Sequence, residues 1–206
     1  MKLYFSPGAC SLSPHIALRE AGVDVELEQV DLARGVIAAS GRSFREVNPK
    51  GYVPALDIGS GVLLTEGAAL VQHIADTYPD AGLAPAPGTL ERTRVNEWLT
   101  FLSSELHKSF GPLFNPKAPE ADKAAAIDKV RSRLDYIEQS LADGRDYLTG
   151  PDFTIADAYL YTLTNWAGPT GVGLGERPRL AAFMDRVHAR PAVRAALEAE
   201  GLLEAM

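Results

Sequence analysis

Lys2-Leu3-Tyr4-Phe5-Ser6-Pro7-Gly8-Ala9-Cys10-Ser11-Leu12-Ser13 opens the chain with a strand, a turn and the start of a helix. Lys2 to Phe5 has strand composition, Ser6 to Ala9 is turn chemistry, and Leu12, Ile16 and Leu18 follow at helical spacing. The same alternation continues outward from this stretch. Glu26 to Val30, Val53 to Ile58 and Val62-Leu63-Leu64 read as strands, the last two joined by a Gly59-Ser60-Gly61 hairpin turn. Gly67 to Tyr78 reads as a second helix. Near residue 80 the texture changes, because residues 79–88 hold three prolines and two glycines. Beyond them, Val95, Trp98, Leu99, Leu102, Leu106, Phe110 and Leu113 recur at spacings of three and four, as do Ile127, Val130, Leu134, Ile137 and Leu141. The expectation is a small α/β domain over residues 1–80, a linker over 81–88 and an all-helical domain over 89–206.

Composition narrows the function. Of 206 residues 46% are hydrophobic and 23% charged, an ordinary globular balance with enough apolar content for a buried core. A net charge of −7 with no dense Lys/Arg run argues against a nucleic-acid binder. No leader pattern and no apolar run of transmembrane length is present, so no membrane association is expected. A single cysteine excludes an intrachain disulfide framework and fits a reducing compartment, the cytoplasm by default. His15, His73 and His188 lack metal-ligand spacing, so no metal is expected.

That cysteine, Cys10, sits where unpaired N–H groups and the helix dipole favour a thiolate. Three residues on, where a second thiol would complete a redox pair, stands Ser13. Such a thiol can form a mixed disulfide with an outside partner but no internal one, which points to a small thiol cofactor, glutathione foremost; an inert packed cysteine is the alternative. In Gly51-Tyr52-Val53-Pro54-Ala55-Leu56 a proline stands at a strand start. A cis Val53–Pro54 bond would turn the Val53 backbone outward to pair with an extended peptide, although trans is much the commoner isomer. Thr65-Glu66-Gly67 enters a helix, where first-turn N–H groups suit a carboxylate and Glu66 suits an ammonium: the two ends of an α-amino acid head, as in the γ-glutamyl part of glutathione. Taken alone, the triplet reads more readily as a plain helix cap with a dipole-matching acid. Thr100, Ser103, Ser104 and His107 form a polar stripe on the first long helix, with His107 able to hydrogen-bond a thiolate; a solvated face with a surface histidine is the alternative. Thr154 and Asp157 form a capping box behind Phe153, a folding signal.

Residues 1–11, residues 48–56 (Asn48-Pro49-Lys50-Gly51-Tyr52-Val53-Pro54-Ala55-Leu56), Leu64-Thr65-Glu66-Gly67, Glu105-Leu106-His107-Lys108, Phe153 to Tyr159 and the tail from Arg190-Pro191 to Gly201-Leu202 together resemble the bacterial beta-class glutathione transferases across essentially the whole chain. The resemblance implies a thioredoxin-like N-terminal domain, βαβαββα, an all-helical C-terminal domain, and a homodimer. It implies conjugation of glutathione to hydrophobic electrophiles, a chemistry of detoxification, in a cleft between the domains. Thiol–disulfide or peroxidase side activity through a cysteine–glutathione mixed disulfide goes with it. A non-catalytic binder of hydrophobic ligands is the alternative. By motif, Cys10 faces the glutathione sulfur, Val53 beside Pro54 pairs with the cysteinyl backbone, Glu66 and Gly67 meet the γ-glutamyl group, and His107 with Ser104 and Glu105 lines the helical side. Two positions depart from the family pattern: Arg34 stands near where a lysine often meets the glycine carboxylate, and Thr100 replaces a cross-subunit asparagine.

Overall fold

The computed structural model describes residues 1–203. The chain divides into two compact units, Met1–Ala84 together with the chain from Arg190 onward, and Pro85–Ala189. The division at Ala84/Pro85 falls inside the stretch expected as a linker.

The first unit is built on a mixed sheet. Its strands are β1 (Lys2–Phe5), β2 (Glu26–Asp31), β3 (Val36–Ile37), β4 (Ala55–Asp57) and β5 (Leu63–Thr65), ordered β3-β2-β1-β4-β5. β1 runs parallel to β2, with Leu3 opposite Leu27, and the return between them is made by helix α1 (Leu12–Glu20). This is the crossover that a parallel pair requires. β4 lies antiparallel to β1 and to β5, so Ala55 pairs with Tyr4 on one side and with Thr65 on the other. Helix α2 (Gly67–Thr77) follows β5 and packs on α1 through a face that includes buried Leu70, Val71 and Ile74. Tyr4, Val30, Ile37, Phe44, Val53 and Ala55 form a contiguous buried cluster.

Between β2 and β4 the anticipated helix is reduced to a single 3-10 turn, Phe44–Glu46, preceded by the two-residue β3 folded back on β2. Residues 36–42 offer no helical apolar spacing, whereas Val36 and Ile37 pair with Asp31 and Val30, and Phe44 alone supplies the anchor to the core.

The second unit holds α3 (Leu90–Phe101), α4 (Gly111–Phe114), α5 (Glu120–Ser140), α6 (Ile155–Thr164) and α7 (Pro178–His188). All ten residues of α6 are buried, which makes it the central helix of the unit. The apolar spacing from Val95 to Leu113 predicts one uniform helix, but Leu102–His107 is a π-helical turn. Several hydroxyls bond back onto the helix around this turn. Thr100 Oγ1 donates to the Asn96 carbonyl, Ser103 and Ser104 both donate to that of Thr100, and Ser109 donates to that of Glu105. Side chains that compete for the helix's own carbonyls open its regular ladder.

The last helix, α8 (Pro191–Ala199), packs on α1 and belongs with the first unit, although the sequence places it in the helical domain. Among the described residues no helix is long and apolar enough to cross a membrane, and no group of three or more His, Cys, Asp or Glu residues could hold a metal ion.

Candidate functional site

Cys10 precedes α1 by two residues and its thiol is half-buried. Sγ donates to the Val53 carbonyl at 3.2 Å. Ser13, standing where a second thiol would be, donates its hydroxyl to the Cys10 carbonyl at 3.0 Å. The Val53–Pro54 peptide is cis, and Val53 and Pro54 are both buried at the entrance to β4.

The β4–β5 hairpin then brings Glu66 to the same sheet edge. Glu66 takes φ 70°, a backbone conformation rare for a residue with a side chain, at the start of α2. Such strain is kept where surrounding contacts over-determine it. Here Tyr52 Oη donates to Glu66 Oε1 at 2.7 Å, and Lys50 Nζ reaches both that oxygen and Thr65 Oγ1, the latter at 2.9 Å. The Glu66 carboxylate raises the pKa of both Lys50 and Tyr52, chiefly by hydrogen bonding, so the ammonium stays charged and the phenol neutral. Gly67 opens α2, and the N–H groups of a first helical turn have no intrahelical acceptor. Sequence reasoning missed the Lys50–Tyr52 clamp, because only the register of the hairpin reveals it.

Arg34 lies exposed in the turn between β2 and β3. Its N–H closes that turn on Asp31 Oδ1 at 3.0 Å, and its guanidinium makes no hydrogen bond or ion pair with the described residues.

Each expected residue of the second unit has a partner within that unit. Ser104 turns its hydroxyl back onto the Thr100 carbonyl. Glu105 is committed to Arg133 at 2.8 Å and, more loosely, to Lys129 at 3.9 Å, and these cations hold its carboxyl below the usual range, the Arg133 hydrogen bond foremost. His107 shares a hydrogen bond with the Tyr159 hydroxyl at 2.8 Å and sits edge-on to Trp166, ring centroids 4.9 Å apart. Trp166 in turn meets Phe110 and Phe114 at 5.5 and 5.2 Å, and Phe114 is 53% exposed. The result is a mostly buried aromatic cluster beside a histidine, with Phe114 as its exposed member.

Burial, aided by the charge of Lys108, lowers the pKa of His107 to about 4 from 6.5. The imidazole is therefore neutral at neutral pH. Because the folded value lies below the unfolded one, the unfolded chain binds the extra proton between pH 6.5 and 4, and stability falls as pH drops through that window. His107→Gln is expected to lose less stability than the parent between those pH values, read as urea midpoints; equal pH slopes would contradict the neutral buried imidazole.

Known proteins resemble this chain along most of its length. The family models described as "Glutathione S-transferase, N-terminal domain" and "Glutathione S-transferase, C-terminal domain" match residues 3–82 and 101–191. Glutathione S-transferase GstA of Escherichia coli O157:H7 is 45% identical over 202 residues, covering 98% of this chain and 100% of that protein. Among solved structures, the ternary complex of BphK, a bacterial GST, is 50% identical with a TM-score of 0.94, covering 98% of this chain and 100% of that one. A sphingomonad glutathione S-transferase complexed with glutathione gives 50% identity and a TM-score of 0.93 over the same shares. A sheet edge carrying Cys10, Val53, cis-Pro54 and Glu66, joined in one chain to a helical unit matched by the second family model, places this chain in the glutathione S-transferase family.

Proposed function

We propose that this chain is a glutathione transferase that conjugates reduced glutathione to hydrophobic electrophiles in the cytoplasm, a detoxifying chemistry. The observation that carries the reading is the Cys10 thiol on the Val53 carbonyl, at the sheet edge where Glu66 begins α2. The γ-glutamyl carboxylate suits the first-turn N–H groups at Gly67, and its ammonium suits Glu66. The cysteinyl backbone pairs with Val53 beside Pro54, which brings the glutathione sulfur toward Cys10. Arg34, with its guanidinium uncommitted among the described residues, suits the glycine carboxylate. His107, Ser104 and Glu105 are the residues of the helical unit assigned by family motif; the ion pairs of Glu105 and the back-bonded hydroxyl of Ser104 favour His107 as the one in direct contact with ligand. The exposed Phe114 ring, backed by buried Phe110 and Trp166, offers an apolar electrophile its site. The glutathione thiolate attacks the activated carbon, a C–S bond forms, the leaving group departs with its electron pair, and the thiol proton passes to solvent.

A redox reading is supported by Cys10 forming no disulfide among the described residues. Cys10→Ala separates the two chemistries: mixed-disulfide reduction is expected to fall at least 100-fold while conjugation of an activated chloronitroarene stays within about tenfold of the parent. Equal losses in both would contradict that division. A parent inactive in both assays would leave the non-catalytic binder.

The chain is proposed to act as a homodimer. Trp98, Phe101 and Tyr136 pack ring against ring at 5.1–5.9 Å, and Tyr136 is half exposed. An aromatic cluster at the surface suits a partner face. Trp98→Glu is expected to shift the mass in light scattering from two chains to one; an unchanged dimer would put the interface elsewhere.

A further inference from the structure

The turn that carries Cys10 is fastened at two points. Ser11 Oγ accepts the Ser6 N–H at 3.1 Å and donates back to the Ser6 carbonyl at 3.3 Å, which ties the two ends of the turn together. The middle is held by a residue 192 positions away, where the Gly8 N–H donates to Glu200 Oε2 at 2.9 Å. The other carboxylate oxygen, Oε1, meets His15 Nδ1 at 2.8 Å. His15 Nε2 accepts from Arg19 Nε at 3.4 Å, which leaves Nδ1–H as the donor to Glu200. Both oxygens of the carboxylate are thus engaged by donors on either side of Cys10.

The side chains of His15 and Glu200 are both 0% exposed. A carboxylate is costly to bury. Two features keep it inside. The end of α8 turns sharply at Gly201, φ +71°, with Gly201 N–H bonded to the Glu198 carbonyl at 3.0 Å and Leu202 N–H to that of Leu197 at 2.8 Å. This left-handed termination swings Leu202 over Gly8, where its Cδ1 stands 3.7 Å from the place a Cβ would occupy. Gly8 itself is at φ +70°, a conformation that side chains rarely adopt. The tail therefore fits the one point in the turn whose backbone is unusual. From there Ala9 accepts the Leu12 N–H at 2.9 Å, and Cys10 presents its sulfur to Val53 at 3.2 Å.

We propose that Glu200 is a positioning residue for Cys10: through Gly8 and His15 it fixes the turn that holds the thiol against the Val53 carbonyl. The segment from α8 to Leu202 is then part of the thiol's setting, although distant from it in sequence. The inference rests on Cys10 as the site thiol. Its test uses neither glutathione nor an electrophilic substrate, so it stands or falls separately from the transferase activity.

The experiment is alkylation of Cys10 by iodoacetamide at fixed pH, with thermal midpoints measured alongside. Glu200→Gln keeps the volume but sets an amide NH2 against one of the two donors. The freed turn is expected to release the half-buried thiol from Val53 and speed alkylation roughly three-fold or more. His15→Ala should do the same, and His15→Asn, whose amide N–H stands in for Nδ1–H, should restore the parent rate. Ile74→Val trims a buried residue of α2 in the same unit and controls for lost stability, leaving the rate unchanged. Should Glu200→Gln not fold, the two His15 variants decide alone. Parent-like alkylation in the folded variants, or equal acceleration by Ile74→Val, would reduce Glu200 to a structural bridge and overturn the proposal.

Discussion

Asp157→Ala is expected to destabilise the helical unit by about 3–5 kcal/mol, enough to leave it largely unfolded at 37 °C. Asp157 is fully buried at the start of α6 and accepts from Leu148 N–H at 2.8 Å, Thr154 N–H at 2.8 Å and Thr154 Oγ1 at 2.9 Å. Removing the carboxylate strands all three donors away from water and opens the capping box of a helix whose every residue is buried. Burial raises the pKa of Asp157 to about 6 against the downward pull of its hydrogen bonds, so the site sits close to the limit of what it can hold as an anion. The measurement is a urea titration followed by tryptophan fluorescence, both Trp98 and Trp166 lying in this unit. A midpoint within error of the parent would contradict the central role given to the box.

Glu66→Gln is expected to weaken glutathione binding roughly 10- to 100-fold, the loss associated with one hydrogen bond to a charged group. The substitution keeps side-chain size and leaves the φ 70° backbone to be held as before, but removes the charge that faces the ammonium and that now pairs with Lys50. Calorimetric titration of glutathione gives the dissociation constant directly. The fold should be unaffected, since the Glu66 side chain is largely exposed and a surface ion pair contributes little to stability. Unchanged affinity would place the γ-glutamyl group somewhere other than the start of α2.

The features legible in the sequence are those written locally. The strand of Leu3 to Phe5, the hairpin around Gly59-Ser60-Gly61 and the Thr154–Asp157 box each lie within a few residues, and each stands where local chemistry puts it. The π-turn at Leu102–His107 was not legible, because apolar spacing is blind to hydroxyls that compete for carbonyls one turn back. The Lys50–Tyr52 clamp on Glu66 depends on a hairpin register, and the contact of His15 with Glu200 joins residues 185 apart. Neither leaves a local pattern. The same holds for α8, whose apolar face fits a helical bundle as well as it fits α1, so periodicity could not assign it to the first unit. For the site, motif reading supplied Cys10, Val53 and Glu66, and the structure brings them to one sheet edge; what Glu105 and Ser104 do instead, bonding within their own unit, required side-chain geometry.

The central claim is glutathione-dependent attack on an electrophilic carbon. Its most direct test is the initial rate of conjugation of 1-chloro-2,4-dinitrobenzene against a no-enzyme blank, with glutathione varied. The account predicts a rate well above the blank that saturates in glutathione, with Glu66→Gln moving the half-saturation point upward. A rate indistinguishable from the blank at every glutathione concentration would contradict it.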